Sequence, residues 1–303
     1  MKAGTRVVVG ALAVGALAFA LGAAFAEAQP ASPVLDGIRH VYQTAAPTYR
    51  ARLTPIAQRT FGLLAGLEFA ASGIVYMLRR DSLDDIAGKF LLKFTVIAIL
   101  LSLITAFTVW VPPIFSGWVA AGERAVGGGA ANPSEIVDIG QALAMGVLGS
   151  LSMTVALKDP AMAVFAAVAA VVLCGAYIAV AAQLTLVLVE VAVVISAGGV
   201  AFLGFLGSRW TAGIAEGLLG YAFGLGIRAF LLLLIVGLGA DLARSWIPMI
   251  QTSDLAGPAS PLFQVLFGSV TFALISIRIP NVAAARLTSQ QSFGIANALR
   301  ALS

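Results

Sequence analysis

The chain has 303 residues, of which 60% are hydrophobic and only 11% are charged, and its mean hydropathy is +0.99. Soluble globular domains are about 25% charged, so this composition excludes a soluble globular protein and indicates an integral membrane protein. The long apolar runs lack strand-like alternation, which predicts spanning helices rather than a β-barrel. Basic residues at cytoplasmic helix ends routinely produce a net charge such as the +4 found here, so the charge does not by itself point to nucleic acid.

The N-terminus has the order of a secretory signal peptide. Lys2 and Arg6 precede the apolar run VVVGALAVGALAFALGAAFA, and small residues follow at Ala24-x-Ala26 or Ala26-x-Ala28. The apolar run is long for a signal, so an uncleaved anchor helix over residues 1–28 is the alternative. A signal would place the following segment, residues 29–58, in the periplasm.

Caps and prolines divide the rest of the chain into further apolar spans. Thr54-Pro55, Asn132-Pro133 and Ser260-Pro261 each have the order of a helix start. Pro112-Pro113 and Pro280 predict helix ends. We expect spans at about residues 61–78, 90–111, 134–157, 214–240 and 260–279.

The apolar block over residues 161–207 follows a predicted cap at Asp159 and is too long for one span at about 1.5 Å per residue. We favour two helices that fold back near Gln183. A single long helix that continues into the periplasm is the alternative.

These elements predict an all-α, polytopic membrane protein with about six to seven transmembrane helices after the signal or anchor. We expect a transmembrane domain over residues 59–280 and a cytoplasmic tail over 281–303. With the N-terminus in the periplasm, most basic residues of the loops between spans are cytoplasmic, as the positive-inside rule requires, whereas those of the N-terminal segment are not. The cytoplasmic set is Arg79, Arg80, Lys89, Lys158, Arg209, Arg278, Arg286 and Arg300.

The chain contains none of the common catalytic motifs. It has no phosphate-binding G-x-x-x-x-G-K-[ST] loop, no H-E-x-x-H pair and no G-x-S-x-G elbow. His40 and Cys174 are the only residues of their types, so no histidine cluster, multi-cysteine metal site or intramolecular disulfide can form. We therefore predict no enzymatic activity, no metal and no cofactor.

Ionisable residues inside the predicted spans are the first candidates for function. A charge in hydrocarbon costs about 2.5–3.5 kcal/mol, so such a residue usually faces a partner or a wet cavity. Glu190 could line a lumen or join helices, paired with Arg228, or form a purely structural ion pair. Lys93 and Glu216 lie nearer helix ends, where snorkelling is expected. The full set is Glu68, Lys93, Asp138, Glu190, Glu216 and Arg228.

Four glycines, Gly213, Gly217, Gly220 and Gly224, repeat at helical spacing and line one face of a predicted helix. Small residues on one face let another helix approach closely. The stripe predicts helix packing, either within the subunit or between subunits.

The stretch GFLGSRWTAG, residues 204–213, interrupts the apolar sequence just before this stripe. Its SRWT segment, Ser208, Arg209, Trp210 and Thr211, predicts a joint at the membrane surface, because tryptophan and arginine suit the headgroup layer. The surrounding glycines permit a tight turn. One Arg-Trp pair falls far short of the basic, aromatic-lined groove that binds single-stranded DNA.

The sequence VEVAVVISAGGVAFLGFLG, followed by SRWT and then AGIAEGLLGYAFGLGIRAFLLLLIVGLG, resembles the TrbL family of conjugative transfer proteins. Weaker similarity lies in FGLLAGLEFAASGIVYMLRRDS and ANPSEIVDIGQALA, so the resemblance covers about residues 55–245. That family belongs with the polytopic inner-membrane subunit of VirB-type IV secretion systems.

The resemblance implies a ring-like oligomer in the inner membrane that supports pilus or mating-pair formation and forms part of the path for relaxase-linked single-stranded DNA. Its partners would be other secretion subunits, pilus or stalk subunits, membrane lipids and, indirectly, secretion ATPases. A secondary transporter with Glu190 and Arg228 at a midplane site is the alternative, although the internal repeats usual in transporters are absent. An intramembrane enzyme is disfavoured by the lack of catalytic residue types.

Overall fold

The computed structural model describes residues 34–79, 83–127, 132–150, 159–252 and 261–288, and in these ranges the regular structure is entirely helical. The predicted signal or anchor, residues 1–28, and most of the predicted tail, residues 289–303, lie outside the described residues. Eight α-helices occur within the described ranges: α1 Val34–Arg79, α2 Leu83–Thr105, α3 Phe107–Ala125, α4 Pro133–Gly149, α5 Pro160–Val191, α6 Gly199–Leu203, α7 Ala212–Thr252 and α8 Pro261–Thr288.

Five helical segments are long and apolar enough to cross a bilayer, which confirms the all-α, polytopic class. The described residues thus contain five candidate spans by length and composition, compared with the six to seven expected. One difference arises at the predicted hairpin, which is a continuous helix. The other concerns the predicted span at 134–157, whose last residues lie outside the described part of the chain. The five segments are Val34–Leu78, Asp84–Thr105, Pro160–Val194, Ala212–Gln251 and Pro261–Leu287.

The helix boundaries predicted from prolines are mostly wrong. Helix α1 passes through Pro47 and Pro55 instead of starting at Thr54-Pro55. Pro112-Pro113 lies inside α3, and the break that precedes this helix falls at Ala106. Helix α8 begins at Pro261, as predicted, but continues past Pro280 to Thr288. Proline is tolerated inside apolar membrane helices because neighbouring groups satisfy the carbonyl that it leaves free.

The predicted reversal near Gln183 is also wrong. Helix α5 is continuous to Val191, and a π-helix over Ala192–Gly198, α6 and a 3₁₀ turn over Gly204–Gly207 extend the same helical run. No glycine or proline lies between Gly175 and Gly198, so nothing in this stretch favours a chain reversal. The alternative of one long helix is therefore the observed one.

Other boundaries follow the cap chemistry. Helix α4 starts at Pro133 with Asn132 in an extended conformation, as the sequence predicts, and spans Pro133–Gly149. Its predicted end near 157 lies outside the described residues. The backbone N–H of Met162 donates to Oδ1 of Asp159 over 3.1 Å, which confirms that aspartate as a cap. Helix α7 extends well beyond the predicted end at 240, so residues 241–252 form helix rather than a polar loop.

The chain divides into two compact units. The first takes in the described residues of Met1–Ile38, Gly122–Leu186 and Leu231–Pro280. Its aromatic side chains include Phe165 stacked on Phe263 and Tyr177 beside Phe272. The absence of a side chain at Gly140 admits this tyrosine, since a methyl group there would lie 2.5 Å from Cβ of Tyr177.

The second unit takes in the described residues of Arg39–Ala121, Val187–Phe230 and Asn281–Ser303. Its core joins α1, α2 and the segment that leads into α7, and every member is at least nine-tenths buried. The members include Phe61, Ile104, Phe107, Leu203 and Leu206.

Two glycines let the 3₁₀ turn lie directly against the backbone of α1. A methyl group at Gly204 would lie 2.8 Å from the carbonyl oxygen of Ala57, and one at Gly207 would lie 2.5 Å from that of Phe61. Real side chains do not tolerate such contacts with backbone atoms. Glycine is therefore needed at both positions for this approach.

We predict that Gly207→Ala lowers the free energy of unfolding by about 1–3 kcal/mol, the usual cost of overpacking a filled site. The matched control is Gly217→Ala, because a methyl group at that exposed helical glycine meets no atom within 4 Å. This control should be neutral or slightly stabilising, since alanine favours helix. Thermal unfolding of the purified proteins measures both, and equal melting temperatures would contradict the close backbone approach.

Candidate functional site

A fully buried carboxylate lies near the middle of the apolar part of α1. Glu68 has no exposed surface, and the Nζ of Lys93, from α2, donates to its Oε1 over 2.8 Å. The same ammonium group also donates to the hydroxyl of Ser72, which lies one helical turn after Glu68 and in turn donates to the carbonyl oxygen of Glu68. Lys93 is itself completely buried, so the expected snorkelling is wrong.

The SRWT segment supplies the remaining partners of Glu68. The Ser208 hydroxyl donates to Oε2 over 3.0 Å, and the Arg209 backbone N–H donates to the same oxygen over 3.4 Å. The Nε of Arg209 lies 3.6 Å from Oε1. We call Glu68, Ser72, Lys93, Ser208 and Arg209 the Glu68 cluster.

Local hydrogen bonds fix the shape of the SRWT turn. The Thr211 hydroxyl donates to the carbonyl oxygen of Phe205 over 2.7 Å, and the backbone N–H of Trp210 donates to the Ser208 hydroxyl over 3.3 Å. The Trp210 ring is 58% exposed, and the Arg209 guanidinium lies 5.1 Å from its centre. The segment therefore turns its serine inward and its tryptophan outward. Its predicted place at the membrane surface stays a prediction.

The Glu68 cluster is held together by the cost of burying charge. An isolated carboxylate taken from water into an apolar interior is strongly unfavourable, and it persists only with a counter-ion and hydrogen-bond donors. Both oxygens of Glu68 have these partners. The contacts of the carboxylate consequently fix the positions of α1, α2 and the SRWT turn relative to one another.

A second cluster contains the pair proposed from the sequence. The NH1 group of Arg228, on α7, lies 3.2 Å from Oε2 of Glu190, on α5. The Tyr221 hydroxyl donates to the other oxygen of the same carboxylate. Both charged side chains keep part of their surface exposed, at 24% for the arginine and 30% for the glutamate. The pairing is confirmed, whereas a role in transport or assembly stays a prediction.

Three of the four stripe glycines have open space beside them within the described part of the chain. A methyl group at Gly213, Gly217 or Gly220 would meet no atom within 4 Å. Gly224, the fourth member, is buried and lines a cavity beside Arg228. The first three glycines thus leave an open helical surface on α7.

Asp138 and Glu216 are half-buried, on α4 and α7, and their predicted roles are untested. An ion pair that the sequence did not predict joins Arg244 of α7 to Glu135 of α4 in the first unit. Arg244 also lies 2.6 Å from Asp241. The spacing Asp241-x-x-Arg244 signals only the contact with Asp241, and no local spacing encodes the contact with Glu135.

Sequence reasoning also missed Ser72 and Tyr221 as hydrogen-bond partners of Lys93 and Glu190. The signal for Ser72 was its spacing of four residues from Glu68, which places both on one helix face. Tyr221 lies seven residues before Arg228, so the two share a face of α7. In both cases the group that bonds the charged side chain is a hydroxyl.

The described residues contain no group of three or more histidine, cysteine, aspartate or glutamate side chains that could hold a metal ion. The two clusters instead join acidic residues to basic residues and hydroxyls. The fold and these clusters define a class of protein, the multi-pass helical membrane proteins whose buried ion pairs join helices.

The family follows from comparison with known proteins. The chain belongs to the family described as TrbL/VirB6 plasmid conjugal transfer protein, which it matches over residues 65–279. The matched range contains both clusters and the SRWT segment. Membership confirms the resemblance seen in the sequence.

Two curated relatives carry the same name. The conjugal transfer protein TrbL of Rhizobium radiobacter is 27% identical over 209 residues, which are 69% of this chain and 52% of the relative. The probable conjugal transfer protein TrbL of Sinorhizobium fredii (strain NBRC 101917 / NGR234) is 27% identical over 230 residues, 76% of this chain and 57% of the relative. The matched residues thus span little more than half the length of either relative.

We predict that Glu68→Gln and Lys93→Met each lower the free energy of unfolding by about 3–5 kcal/mol, because each leaves a buried charge without its counter-ion. The double variant should lose less than the sum of the two, since neither charge then remains. Thermal or denaturant unfolding in detergent measures all three.

The matched control for this cycle is Glu135→Gln, because the pair between Glu135 and Arg244 is more than a third exposed. Exposed pairs contribute about 1 kcal/mol or less. Equal losses for Glu68→Gln and Glu135→Gln, or strict additivity of the Glu68 and Lys93 changes, would contradict the account of the cluster.

Proposed function

We propose that this chain is an inner-membrane channel and scaffold subunit of a conjugative type IV secretion system. It would support pilus or mating-pair formation and the passage of relaxase-linked single-stranded DNA. The observation that carries the proposal is the Glu68 cluster, which lies within the family-matching range and fixes the turn between two long helical segments. A subunit that frames a channel needs such rigid joints between apolar helices.

The same observation supports a non-catalytic role. The side chains of the cluster bind one another, with Glu68 accepting hydrogen bonds from Lys93 and Ser208, rather than converging on an open pocket. Energy for an active transfer process would then come from partner ATPases, with which this subunit has only indirect contact. A secondary transporter is the less favoured function, because both named relatives are conjugal transfer proteins.

We further propose a multi-pass topology in the bacterial inner membrane, with the N-terminus in the periplasm and the C-terminus in the cytoplasm. The distribution of basic residues supports this orientation.

The proposed ring-like homo-oligomer is supported by the open glycine surface of α7. Gly213 and Gly217 are exposed, and Gly220 is half-buried without a close neighbour. A helix from another copy could approach such a surface closely and pack by dispersion. Other secretion and pilus or stalk subunits would contact the remaining lipid-facing or periplasmic surfaces.

We predict that deletion of the gene in a donor cell abolishes conjugative transfer and that the intact gene restores it. In the complemented strain, Glu190→Ala should lower transfer at an unchanged protein level, because it removes the partner of Arg228 and Tyr221. The matched control is Glu135→Ala, which breaks an ion pair in the first unit and should leave transfer near the wild-type level. Undiminished transfer in the deletion strain would refute the proposed function. Wild-type transfer by the Glu190→Ala strain would show that the second cluster has only a structural role.

We also predict that Gly217→Leu dissociates the purified oligomer, because a leucine on the stripe keeps a second helix at a distance. Gly88→Leu is the matched control, since Gly88 is likewise an exposed helical glycine without atoms within 4 Å of an added methyl group. Mass photometry or light scattering measures the assembly. An unchanged mass for Gly217→Leu would exclude the stripe as the contact between copies.

A further inference from the structure

A cavity of about 190 Å³ lies beside Arg228, where α7 meets the last part of α8 in the second unit. Its polar lining consists of Tyr221, Arg228 and Asn281. Three small residues, Gly224, Ala284 and Ala285, leave the space that larger side chains would fill. The cavity thus combines a cation, a hydroxyl and an amide in an otherwise apolar setting.

The arginine has hydrogen-bonding capacity left over for a ligand. One bond from its NH1 group goes to Glu190, and its Nε is buried without a hydrogen-bond partner among the described residues. Buried polar atoms of this kind usually have an ion or water as partner. An anionic oxygen is the complementary group for a guanidinium, which binds phosphate through several parallel donors.

Glu190 does not prevent an anion from binding here. Its two oxygens already accept from Tyr221 and Arg228, and it is not among the residues that line the cavity. Arg228 therefore lines a space that no carboxylate side chain lines. This arrangement separates the structural ion pair from a potential anion site on the same arginine.

We propose that this cavity binds the phosphate of an anionic phospholipid headgroup. Both helices that form it are candidate membrane spans. Basic pockets between transmembrane helices commonly hold anionic headgroups. Leu225 completes the lining with an apolar surface suited to the start of an acyl chain.

The size and lining favour a headgroup over the other phosphate-bearing ligands of such a protein. Pockets for larger organic ligands measure about 300–1,000 Å³, whereas this one is about 190 Å³. Single-stranded DNA requires successive aromatic stacking platforms along a basic groove. The cavity offers a single aromatic side chain, Tyr221.

The test compares the wild-type full-length protein with its variants. The amount of phosphatidylglycerol that each retains after extraction from membranes is measured by quantitative lipid mass spectrometry. Arg228→Gln should lower the amount retained by about five-fold, the effect expected for one arginine beside an anionic headgroup. Ala284→Leu should lower it similarly, because it fills the cavity while keeping the pair between Arg228 and Glu190. Arg244→Gln, which changes an arginine of the first unit, should leave it unchanged.

A second arm distinguishes the sources of phosphate. Delipidated protein should melt at a higher temperature after addition of phosphatidylglycerol, but not of phosphatidylcholine or inorganic phosphate, and the Ala284→Leu protein should lose this response. Wild-type retention by both cavity variants would overturn the proposal. So would a response to inorganic phosphate equal to that for the lipid, or binding of a single-stranded oligonucleotide that depends on Arg228 in the absence of any lipid response.

Discussion

A buried carboxylate in an apolar helical protein requires a counter-ion and several donors, and Glu68 recruits them from three separate parts of the chain. Lys93 comes from the neighbouring helix, and Ser208 and Arg209 come from a turn 140 residues away. The loss of any one partner would leave a buried charge uncompensated in an apolar interior. The helices therefore cannot slide or rotate independently. The position of the SRWT turn, and with it the start of α7, follows from this one carboxylate.

Close contacts between backbone segments allow the partners of Glu68 to reach it. Ser208 can reach Glu68 only if the 3₁₀ turn lies close to α1, and Gly204 and Gly207 permit that approach. The open glycine surface and Arg228 both lie on α7, which begins directly after this turn. Their positions therefore depend on the position of the turn. In the proposed function, the contacts between copies and the second cluster would therefore depend indirectly on a charge buried elsewhere in the same unit.

The sequence identified the important charged residues inside the helices better than it predicted where the helices begin and end. Glu68, Glu190 and Arg228 could be singled out because charge is costly in an apolar span, and the pairing of the last two is observed. The link between Glu68 and SRWT could not be predicted, because no local spacing encodes a contact across 140 residues. Proline rules from soluble proteins failed at Pro280, because helices in an apolar medium continue through proline.

Pulsed electron paramagnetic resonance tests most directly whether Glu68 fixes the SRWT turn. Spin labels at Leu63→Cys on α1 and Ile214→Cys on α7 occupy exposed positions of the second unit, in a protein whose buried cysteine is removed by Cys174→Ala. The account predicts a single narrow distance distribution for this protein and a broad or multiple one when Glu68→Gln is added. A distribution of the same width and centre in both would show that the helical joint does not depend on the buried carboxylate.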